Sequence, residues 1–74
     1  MEQIEIYTEF IRLQELLKLA GVMPTGGMAK EVIADGLVTV NGEVCTQRGR
    51  KLYPGDRAAL EGIELVVTHA GTET

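Results

Sequence analysis

The stretch IRLQELLKLAGVMPTGGMAKEVIADGLVTVNG, residues 11–42, changes its hydrophobic period along its length. Leu13, Leu16, Leu17 and Ala20 follow an i, i+3, i+4, i+7 spacing, which places them on one face of an amphipathic helix. Gly21 ends that helix where the chain needs a left-handed conformation. Thr25 then caps a second helix, because its hydroxyl can accept one of the N–H groups that a first turn leaves unpaired. The spacing predicts Met28, Ala29, Val32 and Ile33 as the apolar face of this helix and Gly36 as its end. Two short helices with a short connection make an αα-hairpin. Leu37, Val38 and Val40 are β-rich residues, and Asn41-Gly42 is a strong signal for a tight hairpin.

Outside this stretch the pattern is β. Ile4 and Ile6 alternate with Glu5 and Tyr7, as in a short edge strand. Pro54-Gly55 suits a type II turn, since proline fixes φ at one position and glycine allows a positive φ at the next. AALEGIELVVTH gives two more strands about Glu61-Gly62, and the final AGTET is expected to fray. The chain therefore reads as an α+β domain, with a two-helix hairpin packed on a small antiparallel sheet of three to five short strands. It has no internal repeat, low-complexity tract or dividing linker, so residues 1–74 form a single domain.

A chain of 74 residues buries a small core, worth about 3–5 kcal/mol of net stability. Its single cysteine, Cys45, allows no internal disulfide, which fits a reducing compartment. MEQIEIYTEF lacks the basic and apolar regions of a signal peptide. No apolar run approaches the roughly 20 residues that span a bilayer. The expectation is a cytoplasmic monomer with no membrane partner.

Little in the sequence points to catalysis. His69 has no acid or nucleophile near it in the chain and reads as a surface residue at a strand end. Cys45 reads as an apolar strand residue, since a reactive thiol needs a base and an electropositive pocket. With one Cys and one His, a four-ligand zinc site cannot form. GGMAK lacks the frame of a nucleotide-binding loop, and the carboxylates lack calcium-loop spacing. A non-enzymatic protein without cofactors is expected.

Charge is more informative. The net charge is −4, yet Arg48, Arg50 and Lys51, three of the seven basic residues, fall within TQRGRK, residues 46–51. Residues 1–11 carry Glu2, Glu5 and Glu9 and no Lys or Arg; residues 58–74 carry Glu61, Glu64 and Glu73 and no Lys or Arg. The middle of the chain holds all seven basic residues against five acidic ones. An electrostatic footprint is local, so an acidic total does not exclude a polyanion partner. On this reading Arg48, Arg50 and Lys51 sit on a mobile rim, where arginine forks and a lysine point charge suit phosphate, and Gly49 permits close backbone approach. A solvated surface run is the alternative.

TGGMAK, residues 25–30, adds weight to phosphate. Gly26 and Gly27 fall in the first turn of the second helix, where they expose backbone N–H groups at the positive end of its dipole. Lys30 lies one turn on. The alternative is a glycine pair packed closely against another part of the chain. Arg12 opens the first helix against the dipole, so it serves a partner or pairs with Glu9 or Glu15. Phe10, Tyr7 and Tyr53 are the only aromatic residues, which favours backbone and shape recognition of a folded duplex over base stacking.

The ordered set Arg12-Leu13, Leu16-Leu17, Gly21, Thr25, Ala29, Ile33, Gly36, Val38, Val40-Asn41-Gly42 and Gly55-Asp56 resembles the RNA-binding domain first seen in ribosomal small-subunit protein S-four, the alpha-L motif. The likeness covers residues 12–60, with an N-terminal edge strand and a C-terminal strand outside it. It departs at Gln14, where the family has aspartate, and at Gly26, where it has arginine after the cap. GGMAK with QRGRKLYPGD looks most like stand-alone bacterial members, which are associated with ribosome assembly or RNA metabolism. The resemblance implies binding of structured RNA, ribosomal or tRNA-like, or of ribosomal particles. Carried over by position, Arg12, Thr25, Gly26, Gly27, Lys30, Asn41, Arg48, Arg50 and Lys51 would line the RNA face. The competing reading is a protein-interaction or regulatory module whose basic loop docks on an acidic partner surface.

Overall fold

The computed structural model describes residues 1–70. Strand β1 (Glu2–Ile6) leads through the two-residue β2 (Ile11–Arg12) into helix α1 (Leu13–Leu19) and then α2 (Gly26–Ala34). Five further strands follow: β3 (Val38–Val40), β4 (Glu43–Val44), β5 (Lys51–Leu52), β6 (Arg57–Leu60) and β7 (Ile63–His69). The main sheet has the order β1-β7-β6-β3-β4, and β2 with β5 forms a separate two-stranded ribbon.

Both predicted helices form. In α1 the stripe of Leu13, Leu16 and Leu17 is fully buried. In α2 Ala29 and Ile33, one turn apart, are fully buried and Val32 packs beside them. Met28, expected on this face, is instead 47% exposed. It sits on the outer side of the first turn, next to the Ala29–Ile33 stripe and not in it. The capping glycines behave as their positions require, with φ of +78° at Gly21 and +77° at Gly36.

The helices meet one face of the sheet, formed by Ile6, Val38, Val40, Ala58, Leu60, Leu65 and Val67, and together they make one core with Leu52 and Cys45. Cys45 follows β4, where its N–H donates to Val38 O (3.0 Å). Alternation within β3, β6 and β7 turns Thr39, Ala59 and Glu64 to the opposite, open face. Both hairpin turns carry a left-handed residue followed by glycine, Asn41-Gly42 (φ 53° and 88°) and Glu61-Gly62 (φ 51° and 84°), as a type I′ turn demands. At Pro54-Gly55 the Asp56 N–H donates to Tyr53 O (2.8 Å) and Gly55 has φ +99°.

The sheet is mixed rather than wholly antiparallel. β1 lies at the edge, as its alternation suggests, but pairs parallel with β7, from Glu2 opposite Leu65 to Ile6 opposite His69. A parallel pair needs a long crossover, and here that crossover is nearly the whole domain. No local turn announces it in the sequence. The expected fraying of residues 71–74 lies outside the described residues. Ala70 is tied in, its N–H donating to Ile6 O (2.9 Å).

Candidate nucleic-acid interface

The start of α1 and the TQRGRK loop are built together. Arg12 holds the N-cap position of α1 and offers no side-chain cap. The first-turn N–H groups therefore need outside acceptors. They find them in the loop: Leu13 N–H donates to Arg50 O (2.9 Å) and Gln14 N–H to Arg48 O (3.1 Å). Between these, the Arg12 guanidinium donates through Nη1 to Gly49 O (3.3 Å). Three successive loop carbonyls thus face the helix, and Arg50 N–H closes a turn onto Gln47 O (3.1 Å). The rim expected to be mobile is held by its own backbone, while its side chains stay exposed. The cation that opposes the α1 dipole is accounted for as well, because its charge meets a carbonyl.

The ribbon extends this cluster. Arg12 lies opposite Lys51, and Ile11 opposite Leu52. Leu52 is fully buried and Ile11 half-buried, so Arg12 and Lys51 take the outer face. Residues two apart on a strand share a face, so Phe10 and Tyr53 join them. Lys51 Nζ sits 4.8 Å and Arg12 Cζ 5.6 Å from the Phe10 ring centre, each contact worth about 0.5–1 kcal/mol at an exposed site. The ring holds two like charges side by side. Phe10 and Tyr53 themselves meet at 5.8 Å between centres. The sequence shows all three aromatic residues, but the β2–β5 pairing that gathers two of them has no hairpin signal.

The remaining candidate residues fall into two other places. Thr25 caps α2 as expected, its Oγ1 accepting from Met28 N–H (3.2 Å), and Gly27 and Lys30 are exposed on this helix after it. A Cβ added at Gly27 would meet nothing closer than Thr25 Oγ1 at 3.9 Å, so close packing does not account for that glycine. Gly49 is similarly open, with Arg12 Nη1 at 3.9 Å. The start of α2 follows the C-terminal end of α1, whereas the basic loop is bound to its N-terminal end. The seven-residue α1 is about 10 Å long, with the basic loop bound at one end and the connection to α2 leaving from the other.

Asn41 stands exposed at the β3–β4 turn and is hydrogen-bonded within the chain at both ends of its amide. Its Nδ2 donates to Asp56 Oδ1 (3.3 Å), and its Oδ1 accepts from Arg57 N–H (3.0 Å). The other oxygen of Asp56 accepts from Tyr53 N–H (2.8 Å). The VNG and GD pieces of the sequence are therefore two halves of one network. A concavity beside it on the open sheet face is lined by Thr39, Asn41, Gly42, Arg57 and Glu64, away from the basic loop. Among the described residues no group of three metal-binding side chains forms, and no helix is long and apolar enough to cross a membrane.

Gly27 yields a prediction with opposite signs in two assays. Gly27→Ala is expected to raise stability by up to about 1 kcal/mol in urea unfolding, as alanine replaces glycine in a helix without a clash. If a phosphate approaches that backbone, the same variant binds RNA more weakly. A more stable variant with unchanged RNA binding would remove the α2 start from the interface.

A two-helix hairpin on one face of a small sheet, with an exposed basic loop fastened to the first helix, defines an alpha-L-type module. The profile of the S4 domain family matches residues 4–68. The chain belongs to the S4 domain family. It is 51% identical over 59 residues to a probable ribosome maturation protein, RlbA, of Bacillus subtilis (strain 168), covering 80% of this chain and 83% of that protein. Its fold is similar to the solution structure of YbcJ from E. coli, described as revealing an alpha-L motif involved in RNA binding. The TM-score is 0.72 at 32% identity, over 92% of this chain and 87% of that one.

Proposed function

We propose that this chain binds structured RNA without catalysis, as a cytoplasmic monomer acting on ribosomal RNA or a ribosome-assembly particle. One observation carries the reading: in an acidic chain, Arg12, Arg48, Arg50 and Lys51 are exposed together on backbone that is hydrogen-bonded in place. Cations carried on backbone that is already fixed leave less of the chain to be ordered on binding. The S4 family and the ribosome-maturation name of the Bacillus relative support RNA as the polyanion.

Recognition on this account is by backbone and shape. The α1 N-terminus is occupied by loop carbonyls, so there the side chains hold phosphate. At α2 the first turn, at Gly26 and Gly27, offers N–H groups, with Lys30 nearby. Exposed Glu5, Glu61 and Glu64 lie on β1 and around the β6–β7 turn, where they limit non-specific association.

The test is fluorescence anisotropy with a junction-containing ribosomal RNA hairpin and a DNA duplex of equal length, over a salt series. With three or four phosphates neutralised, affinity for the RNA falls several-tens-fold, roughly, between 50 and 200 mM salt. DNA binds weakly throughout. Equal binding to both, or salt-independent binding, would refute the proposal. Absence of binding at low salt would favour docking of the basic loop on an acidic protein.

A further inference from the structure

We propose that Tyr53, backed by Phe10, is a stacking site for an unpaired nucleobase, next to the phosphates gripped by Arg12 and Lys51. This deepens the RNA reading above and rests on it. The outer face of the β2–β5 ribbon carries two aromatic rings and two cations and nothing apolar of another kind. The rings have different surroundings. Phe10 is half-buried and lies against both cations and, at an interplanar angle of 51°, against its neighbour's ring. Tyr53 is 43% exposed. A base needs an open π-face, and a cation beside it takes the phosphate of the same strand.

Tyr53 is also held rigidly. Its N–H donates to Asp56 Oδ2 (2.8 Å) and its carbonyl accepts from Asp56 N–H (2.8 Å). Asp56 is fixed in turn by Asn41 Nδ2 (3.3 Å), whose own Oδ1 is held by Arg57 N–H (3.0 Å). Both backbone groups of Tyr53 are therefore engaged by Asp56, the N–H through its carboxylate and the carbonyl through its backbone N–H. A platform ordered in advance loses little entropy when a base settles on it. Asn41 is then a positioning residue, acting on Tyr53 through Asp56 and not on RNA directly.

The probe is an RNA hairpin with a single bulged 2-aminopurine, compared with the same hairpin without the bulge. Wild-type protein is expected to bind the bulged RNA more tightly and to quench the 2-aminopurine. Tyr53→Leu loses about 5- to 100-fold in affinity for the bulged RNA, with unchanged affinity for the continuous hairpin. Tyr53→Phe keeps both the affinity and the quenching, and circular dichroism checks that each variant is folded. Equal losses on both RNAs, or no loss on either, would overturn the stacking site and leave phosphate binding intact. Wild-type protein that binds neither RNA would instead overturn the RNA reading itself.

Discussion

The Arg48→Ala/Arg50→Ala/Lys51→Ala variant is expected to lose affinity for a junction-containing RNA hairpin by on the order of 100-fold near 0.1 M salt. Its plot of log affinity against log salt should also be shallower by about 2 to 3. The reasoning is counterion release. Each phosphate neutralised by a cation contributes a nearly fixed slope, so deleting three cations deletes three shares of it. The fold should survive. The loop is held by the carbonyls of Arg48, Gly49 and Arg50, which alanine retains. Of the interactions described above, the triple substitution breaks only the one between the Lys51 ammonium and the Phe10 ring, worth about 0.5–1 kcal/mol. Lys18→Ala, in the last turn of α1, is the control and should bind as wild type. A triple variant with unchanged salt slope would show that these cations meet no phosphate.

The largest effect on stability is expected from Leu16→Ala. Leu16 is fully buried on the α1 stripe, in the core shared with α2 and the sheet. Deleting its branched end leaves a cavity and costs about 2–5 kcal/mol. A domain of this size has about 3–5 kcal/mol in total. Much of the variant should be unfolded at 25 °C, with little or no folded baseline in a urea titration followed by circular dichroism. Its apparent RNA affinity should fall with the folded fraction. A cooperative transition displaced by less than about 1 kcal/mol would mean that the core collapses around the gap.

These two expectations draw on different levels of the sequence. The helices were legible because their signals are local: the Leu13–Leu17 stripe, the Thr25 cap and the glycines at 21 and 36 each act within a turn. The Asn41-Gly42 and Glu61-Gly62 hairpins were legible for the same reason. The parallel β1–β7 pair was not, because its partners are joined by most of the chain and no turn encodes their register. The β2–β5 ribbon was missed likewise, since Ile11–Arg12 reads as the lead-in to a helix.

The site followed the same division. Clustering of Arg48, Arg50 and Lys51 could be read directly. The anchoring of their loop could not, because its carbonyls are held by the Leu13 and Gln14 N–H groups and the Arg12 guanidinium at the start of α1, more than thirty positions away in sequence. Composition alone made Phe10 and Tyr53 look too few to matter. Pairing across the ribbon brings them to one spot beside two cations, where number counts for less than position. Asn41 divides in the same way. Its place in VNG marks a tight turn locally, whereas its hydrogen bonds to Asp56 and Arg57, fifteen and sixteen positions on, appear only in the fold.

The most direct measurement is amide chemical-shift mapping of the labelled protein during titration with a junction-containing ribosomal RNA hairpin. The account predicts the largest shifts at Arg12, at residues 48–51 and at Gly26 to Met28, with smaller ones at Tyr53 and Asn41. The outer edge of β1 and the open sheet face around Thr39, Ala59 and Glu64 should stay unmoved. Shifts centred on that open face, with the basic loop silent, would contradict it.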